Sequence, residues 1–307
     1  MSRAASYNYS VIIGKVSTQD KQRLLDSLTA IQQQRGDFSY EIIVAERHSD
    51  DISQKIQQLF PEVKLLTCNP GTTLPELRTQ ALHRASGSIL IVTEDHCIPA
   101  DNWFTKIAET FERAPANTVA VGGPIDNGLP LSRLDWATFL CEYSYFLSPM
   151  PEGVTSVLAG GNIAYRREAL DDIDEATLVA GFWETHLHPL LLERGYRLLS
   201  SNTIVVSHKK KFSLKLFAVQ RFFYSRYYAG TRFGPGQSAK RLLAACMCPL
   251  LPPLVLYRIM RNVRTKRRVF REFVLALPYL LLFTVVWAIG EFWGYLFGAG
   301  TALATIE

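Results

Sequence analysis

Two adjacent acids, Glu94 and Asp95, directly follow an apolar run that begins after Gly87. A short β-branched and aliphatic run is typical of a buried central strand, and open α/β sheets bind ligands at the carboxyl ends of such strands. The pair therefore predicts a site at which one acid binds a metal and the other a second ligand or the backbone. Because successive side chains of a strand point to opposite faces, both acids cannot face one ligand if the strand continues. The alternative is a solvated acidic loop.

Other polar residues stand at similar places along the chain. Glu46 ends a second apolar run, Glu184 precedes an apolar helical pattern, and His208 directly follows the last predicted strand. Gly160 and Gly161 form a double glycine, which permits close backbone approach to a ligand, although a plain turn explains it equally well. The histidines at 186 and 188 are spaced i, i+2, which places them on different helix faces and argues against a zinc pair.

The elements that must position these residues alternate between strand and helix. Apolar runs predict strands at residues 9–13, 40–46, 63–67, 88–93, 118–121, 197–199 and 203–206. Amphipathic patterns lie between most of them, and Thr73 with Glu76 forms a capping-box signature that starts one helix. This alternation predicts an α/β fold with a mainly parallel sheet flanked by helices.

Composition limits the function classes. The chain has 307 residues and a net charge of +5, and the residues from Arg241 onward hold 8 Lys and Arg against 3 Asp and Glu, so all of the excess is C-terminal. A neutral body with a basic, apolar tail predicts membrane association and no nucleic-acid partner. The five cysteines lack a Cys-x-x-Cys spacing, which argues against a disulfide framework or a structural zinc. Residues 1–8 show no signal-peptide core, so we expect the body in the cytoplasm.

The C-terminal region contains three segments of interest. Residues 213–230 are aromatic and basic, which is typical of a helix at a membrane interface or of an aromatic packing helix. Residues 242–257 are apolar but short and interrupted by prolines, which favours a re-entrant or in-plane segment. Residues 273–297 are long enough to cross a bilayer, and Glu291 within them must be paired, near headgroups or at an oligomer contact. The basic stretch 258–271 is expected on the cytoplasmic side; the alternative is a buried soluble helical hairpin.

Taken in order, these motifs resemble the family 2 glycosyltransferases, with their nucleotide-sugar-binding GT-A fold, over roughly residues 9–232. The resembling segments are the first strand at 9–13, the second strand ending at Glu46, the Asp-x-Asp-like Thr93-Glu94-Asp95, the acceptor-side Gly160-Gly161-Asn162, the Glu-Asp-like Trp183-Glu184, and His208. The resemblance implies a catalytic domain, which we place at residues 1–212. The composition of the rest predicts an interface helix and linker at 213–240 and a membrane-associated helical hairpin at 241–307.

The resemblance also implies roles for individual residues. Glu184 is the expected catalytic base, with a first-turn glutamate favoured by the helix dipole as the alternative. Asp95 and His208 are the expected ligands of Mn²⁺ or Mg²⁺, with a locally hydrogen-bonded histidine as the alternative for His208. The remaining expected contacts are Glu46, Glu94, Asp95, Ile13 and Arg78 to the donor, and Gly160, Gly161, Asn162 and Trp183 on the acceptor side.

The implied function is inverting, metal-dependent transfer of a sugar from a nucleotide diphosphate sugar. The expected acceptor is lipid-linked or a polysaccharide at the cytoplasmic membrane face, as in polysaccharide biosynthesis of the cell envelope, and the C-terminal region could support a homo-oligomer. Three departures from the family pattern, at residues 14–17, at residues 46–49 and at Trp183, keep two alternatives open. One is transfer to polyprenyl phosphate, with a basic pocket supplied by Arg166, Arg167 and the lysines at 209–211; the other is a catalytically silent nucleotide-sugar-binding scaffold.

Overall fold

A computed structural model describes residues 8–16, 22–130, 132–182, 184–234 and 236–306. Trp183 lies outside these ranges, so its expected acceptor-side role is not placed. The chain forms two compact units: Met1–Gly128 with Phe146–Lys210, and Leu129–Tyr145 with Lys211–Glu307. Residues 129–145, which the sequence predicts to lie within the catalytic domain, therefore group with the C-terminal helices.

The first unit contains the described strands and seven of the described helices. The strands are β1 (Tyr9–Lys15), β2 (Tyr40–Glu46), β3 (Lys64–Thr67), β4 (Ile89–Glu94), β5 (Cys97–Pro99), β6 (Thr118–Gly122), β7 (Ile125–Asn127), β8 (Gly153–Thr155), β9 (Asn162–Arg166), β10 (Arg197–Ser200) and β11 (Val206–His208). Its helices are α1 (Gln22–Gln32), α2 (Asp51–Leu59), α3 (Leu74–Arg84), α4 (Trp103–Arg113), α6 (Arg167–Asp171), α7 (Glu175–Gly181) and α8 (Glu184–Glu193).

The main sheet has the strand order β3-β2-β1-β4-β9-β6-β10-β8, and a small second sheet has the order β5-β11-β7. The first four strands are parallel, as predicted, so β1, β2 and β4 end at one edge. β9 runs antiparallel to both β4 and β6, which makes the second half of the sheet mixed. The predicted α/β architecture is confirmed.

Local signals account for the helix starts. Thr73 and Glu76 form the expected capping box at the start of α3, with Pro75 in the first turn. Asp50 caps α2 in a capping box, in which its side chain accepts from backbone N–H groups of the first turn and its own N–H donates to the Ser53 hydroxyl. α8 ends at Gly195, whose φ of 80° allows Tyr196 N–H to bond Leu191 C=O, so the helix closes in a Schellman motif.

The second unit is helical. It contains α5 (Arg133–Tyr143), α9 (Leu214–Arg232), α10 (Ser238–Met247), α11 (Leu251–Lys266), α12 (Phe270–Phe297) and α13 (Ala302–Thr305), and a 3₁₀ turn, Cys248–Leu250, joins α10 to α11. The prolines that were expected to break the apolar segment lie in this turn and in the first turn of α11, where a missing N–H is tolerated. Residues 238–266 and 270–297 are each long and apolar enough to cross a membrane.

Helix α9, predicted as an interface helix, packs on α12. Phe217 meets Phe283 with ring centroids 4.5 Å apart, and Arg221 is buried beside Glu142 of α5. Of the three situations expected for Glu291, the structure shows pairing. Its carboxylate accepts hydrogen bonds from Trp287 Nε1 at 2.6 Å and from the Tyr295 hydroxyl at 3.1 Å. Helix α9 thus packs within the protein as the aromatic packing alternative expects, and its place at a membrane interface stays a prediction.

Glycines on α12 allow its close approach to α9. A Cβ on Gly294 would collide with the Arg226 carbonyl and lie 2.9 Å from the Ala229 Cβ, and a Cβ on Gly290 would lie 2.5 Å from the Phe222 carbonyl. Gly290 and Gly294 form a Gly-x-x-x-Gly pair, a spacing associated with close helix pairing. Within the described structure, the chain's own α9 covers this pair.

We predict that Gly294→Ala destabilises the C-terminal unit. Helix propensity alone would stabilise the protein by about 1 kcal/mol, whereas the clash with a backbone carbonyl costs about 1–3 kcal/mol, so a net loss is expected. Thermal unfolding in detergent measures the balance. Val285→Ile is the control, because it adds one carbon on the exposed side of the same helix. A higher midpoint for Gly294→Ala than for wild type would contradict this packing.

Candidate active site

A cluster of three ionisable side chains lies where β4 and β11 end. Glu94 is the last residue of β4, His208 is the last residue of β11, and His96 lies in the turn that leads into β5. The His96 Nε2 atom is 3.1 Å from Glu94 Oε2 and 3.0 Å from His208 Nε2. One candidate ligand atom from each residue falls within 4.8 Å of the others. The antiparallel pairing of β5 with β11 brings His208 to this turn.

Electrostatic interactions within the cluster shift the pKa values of its members. Burial alone would lower the pKa of His96, but hydrogen bonds to Asp95 and Glu94 outweigh it and raise this pKa to about 9. Burial alone would raise the pKa of Glu94, but His96, His208 and Arg78 hold it well below its usual range. Burial and the adjacent His96 hold the pKa of His208 well below its usual value, so its imidazole is neutral. The cluster therefore holds a carboxylate, a protonated His96 and a neutral His208 in a buried setting, and a metal ion bound at His96 Nε2 would replace the proton on that nitrogen.

This donor set fits a divalent transition metal. A carboxylate oxygen and two imidazole nitrogens suit Mn²⁺ better than Mg²⁺, which prefers oxygen ligands alone. Asp95, expected from the sequence as a ligand, contacts His96 from the other side, with Oδ1 2.6 Å from Nδ1. In this position its carboxylate orients the imidazole, the way carboxylates support metal-binding histidines. His96 was missed in the sequence because its place depends on the β5–β11 pairing.

The double glycine passes between two carboxylates. A Cβ on Gly160 would lie 2.5 Å from Glu184 Oε2, and a Cβ on Gly161 would lie 3.3 Å from Glu94 Oε2. A side chain at Gly160 would therefore displace the Glu184 carboxylate, and a side chain at Gly161 would crowd Glu94 and the Cys97 thiol, which lies 3.1 Å from the added Cβ. The structure thus brings the expected base and the expected metal region to two successive backbone positions.

Arg78 of α3 reaches the same place. It is buried, its Nη1 donates to the Phe182 carbonyl at 3.2 Å, and a Cβ on Gly160 would lie 3.8 Å from that nitrogen. Its Nε is also buried and has no hydrogen-bond partner among the described residues. An unsatisfied buried N–H on a cation is costly unless a ligand supplies an acceptor. Arg78 is therefore suited to an anionic group.

Two of the residues expected to contact the donor, Glu46 and Ile13, lie on the neighbouring strands β2 and β1. Glu46 is fully buried and accepts from Lys15 Nζ at 2.9 Å and from the Ser53 hydroxyl at 2.7 Å. Lys15, at the end of β1, also contacts Asp50 at 3.1 Å, so the departure at residues 14–17 places a cation between two acids. Ile13 is fully buried within β1. Their contacts with a donor stay predictions.

Asn162 is buried in the core. Its amide nitrogen donates to the carbonyls of Pro124 and Ile204, and its oxygen accepts from Trp103 Nε1 at 2.9 Å. Both N–H groups of the side chain are therefore used within the protein. On the expected acceptor side, Asn162 fixes the backbone that carries Gly160 and Gly161, and its side chain is not directed to a ligand.

The helix that carries Glu184 is anchored by a buried histidine one turn later. His188 accepts from the Leu158 N–H at Nδ1, 3.4 Å away, so Nε2 carries the proton and donates to the Tyr165 hydroxyl at 3.1 Å. Burial raises the pKa of Tyr165, and the Glu184 charge raises it further. His188 therefore ties α8 to β9 and to the segment before the double glycine.

We predict that His188 makes the protein acid-sensitive. Burial lowers the pKa of His188 to about 4 from an ordinary value of 6.5, so the unfolded chain binds the proton more readily. Its contribution, about 3 kcal/mol, is complete above pH 6.5 and is lost as the pH falls towards 4. Denaturant unfolding of wild type and His188→Gln between pH 7 and 5 measures this, and the difference between the two isolates His188 from other histidines. Parallel pH dependence in both proteins would contradict the prediction.

Comparison with known proteins agrees with the fold. The Glycosyl transferase family 2 model matches residues 10–174, more than half of the chain. The structure resembles mannosyltransferase PcManGT from Pyrobaculum calidifontis, in complex with GDP-Man and Mn²⁺, with a TM-score of 0.59, 15% identity, and coverage of 94% of this chain and 87% of that one. It also resembles GalNAc-T7 with UDP, GalNAc and Mn²⁺, with a TM-score of 0.53, 17% identity, and coverage of 76% and 53%. No curated protein sequence matches the chain significantly.

The sheet, the acid-bearing strand end and the structural neighbours define a glycosyltransferase of the GT-A fold class. More particularly, the chain belongs to glycosyl transferase family 2.

Proposed function

We propose that this protein is an inverting glycosyltransferase that moves a sugar from a nucleotide diphosphate sugar to a lipid-linked or polysaccharide acceptor at the cytoplasmic membrane face. The observation that carries the proposal is the double glycine between Glu184 and the Glu94, His96 and His208 cluster. A base on one side and a metal centre on the other is the arrangement that a direct displacement at an anomeric carbon requires, because the proton acceptor and the leaving group lie on opposite faces of the sugar.

Glu184 removes the proton from the attacking acceptor hydroxyl. Its carboxylate lies in the first turn of α8, where the helix dipole favours negative charge. The glycines admit the acceptor and sugar close to the backbone, and Arg78 supplies a buried cation for the diphosphate. A bound divalent cation would neutralise charge that develops on the leaving diphosphate.

We assign the metal to Glu94, His96 and His208, with Asp95 behind His96 or as a further ligand as the sequence predicts. The two structural neighbours named above were each solved with Mn²⁺. The donor set of one carboxylate and two imidazoles supports the same metal here.

The alternative acceptor, polyprenyl phosphate, has less support from these residues. The register of β9 on β4 pairs Arg166 with Ile89, at the opposite end of β4 from Glu94. Arg166 and Arg167 also donate to the carbonyls of Thr118 and Gly87. Two of the expected basic residues therefore lie away from the site, and among the remaining lysines the charge of Lys210 acts on His208.

The test is a turnover assay of purified protein with a panel of nucleotide diphosphate sugars and lipid-linked or oligosaccharide acceptors, with Mn²⁺ or with chelator. Product anomeric configuration is read by NMR. We expect metal-dependent transfer with inverted configuration from one donor class. Donor binding without any transfer would favour the silent scaffold, and retained configuration would contradict the role of Glu184.

A further inference from the structure

The two long C-terminal helices expose an apolar face. Exposed apolar residues repeat at three- and four-residue spacing along α10, α11 and the whole of α12. Each helix therefore turns one apolar side outward. We define the lipid face as the exposed residues Leu242, Leu243, Met247, Leu250, Leu254 and Tyr257 together with Val274, Leu275, Leu281, Leu282, Val285, Ile289, Phe292, Trp293, Leu296 and Phe297. Of the large hydrophobic side chains that are exposed in the described residues, only five lie elsewhere. Such a patch marks an interaction surface.

The opposite side of α12 carries buried polar groups. Tyr224 of α9 packs against Trp287, and Arg221 lies 5.5 Å from the Trp287 ring while pairing with Glu142 of α5. Further along, Arg232 donates to the Tyr295 hydroxyl at 3.0 Å. Helices α5 and α9 thus follow α12 and bring charged residues with them.

This arrangement distinguishes two orientations in a bilayer. If α12 crossed the membrane, Arg221 and its partner Glu142, which lie beside Trp287 near the middle of α12, would be placed in the hydrocarbon region, at a cost of several kcal/mol. If α12 lies along the interface, the lipid face meets acyl chains and the arginines stay on the water side. The length of the helix permits either orientation, and the position of the charges favours the second.

A basic band adjoins the lipid face. The turn between α11 and α12, with Arg267 and Val269 in left-handed conformation, gathers exposed arginines at one end of the hairpin. They are Arg258, Arg261, Arg264, Arg267, Arg268 and Arg271. Cationic side chains beside an apolar face that enters a bilayer complement anionic headgroups. Each contributes about 1 kcal/mol of binding free energy near such a surface.

We propose that helices α10 to α12 form an in-plane anchor that binds a bilayer carrying anionic headgroups and does not cross it. The inference rests on the membrane association in the proposed function and specifies its mode. Both ends of α12 therefore lie on one side of the membrane.

The orientation test uses single cysteines at the two ends of α12. Arg268→Cys and Thr301→Cys, each in a Cys246→Ser background, are labelled with a membrane-impermeant maleimide in right-side-out and in inside-out vesicles from the expression host. We expect both positions to react in the same vesicle type. Reaction in opposite vesicle types would overturn the in-plane anchor and leave the proposed transfer reaction intact. A soluble protein that dimerises through the lipid face, with no membrane-bound fraction, would overturn both the anchor and the membrane part of the proposed function.

The headgroup test compares phosphatidylcholine vesicles with and without phosphatidylglycerol in flotation assays. The variant Arg261→Gln, Arg264→Gln, Arg268→Gln should bind the anionic vesicles about 100-fold less tightly and the neutral ones equally. The control replaces three exposed arginines of the first unit, Arg35, Arg84 and Arg113, by glutamine. An equal loss in the control, or no preference for anionic vesicles, would overturn the assignment of anionic lipid.

Discussion

Glu184→Gln is expected to reduce sugar transfer by about 10³-fold while leaving donor affinity unchanged, because the amide keeps the shape of the side chain and removes the proton acceptor. The contact with Gly160 should persist, since glutamine is isosteric with glutamate. Initial rates at saturating donor and acceptor give the loss in kcat, and a donor-binding titration on the same preparation shows that the site is formed.

The matched control for this variant is Glu193→Gln. It makes the same chemical change at the far end of the same helix, where the side chain is exposed. We expect wild-type rates from it. A Glu184→Gln enzyme that turns over within a few-fold of the control would remove Glu184 from the reaction, and a large rise in donor Kd would make it a structural residue.

His208→Ala is expected to weaken metal-supported nucleotide binding by at least about 100-fold. Outer-shell partners of metal ligands typically contribute 10–100-fold, and loss of a ligand itself should cost at least that much. Calorimetric titration of Mn²⁺ into protein with a nucleoside diphosphate measures the change.

His186→Ala serves as the control for that titration. His186 lies on α8, and it is not among the clustered ligand atoms. We expect its metal affinity to match wild type. Equal metal affinity in His208→Ala, His186→Ala and wild type would show that the ion binds without the β11 histidine.

Local sequence signals predicted much of the first unit. The apolar run after Gly87 and the capping box at Thr73 place β4 and α3, because both depend on residues within one turn or one strand. The direction of β9 relative to its neighbours could not be predicted from such local signals. A buried strand has the same apolar pattern whether it runs parallel or antiparallel to its neighbour, so the mixed half of the sheet follows only from tertiary pairing.

The candidate site was likewise predicted in part, where a residue's place depends on local sequence signals. Glu94, Glu184 and His208 were predicted because each stands at the end of a recognisable element, and the structure brings their regions together. His96 was missed, since its side chain enters the cluster through the pairing of β5 with β11, which joins residues about a hundred positions apart. Asn162 was predicted on the acceptor side from its place beside the glycines, but its amide serves the core.

In the C-terminal unit, composition predicted apolar helices but not their partners. The aromatic and basic pattern of α9 is compatible with a membrane surface and with protein packing, and its contact with Gly290 and Gly294 of α12 follows only from the tertiary structure. Residues 133–143 gave no clear periodic signal, so α5 was predicted within the catalytic domain by its position alone, whereas its contacts group it with the C-terminal helices.

The most direct test of the central claim is pulsed electron paramagnetic resonance of Mn²⁺ bound to the full-length protein with a nucleoside diphosphate. We predict ¹⁴N couplings from two imidazoles together with ³¹P coupling from the diphosphate in one Mn²⁺ centre, and loss of one ¹⁴N coupling in His208→Ala. That result would place the ion between the histidines and the donor. A Mn²⁺ centre with ³¹P coupling and no directly bound nitrogen would contradict the assignment of His96 and His208 to the metal site.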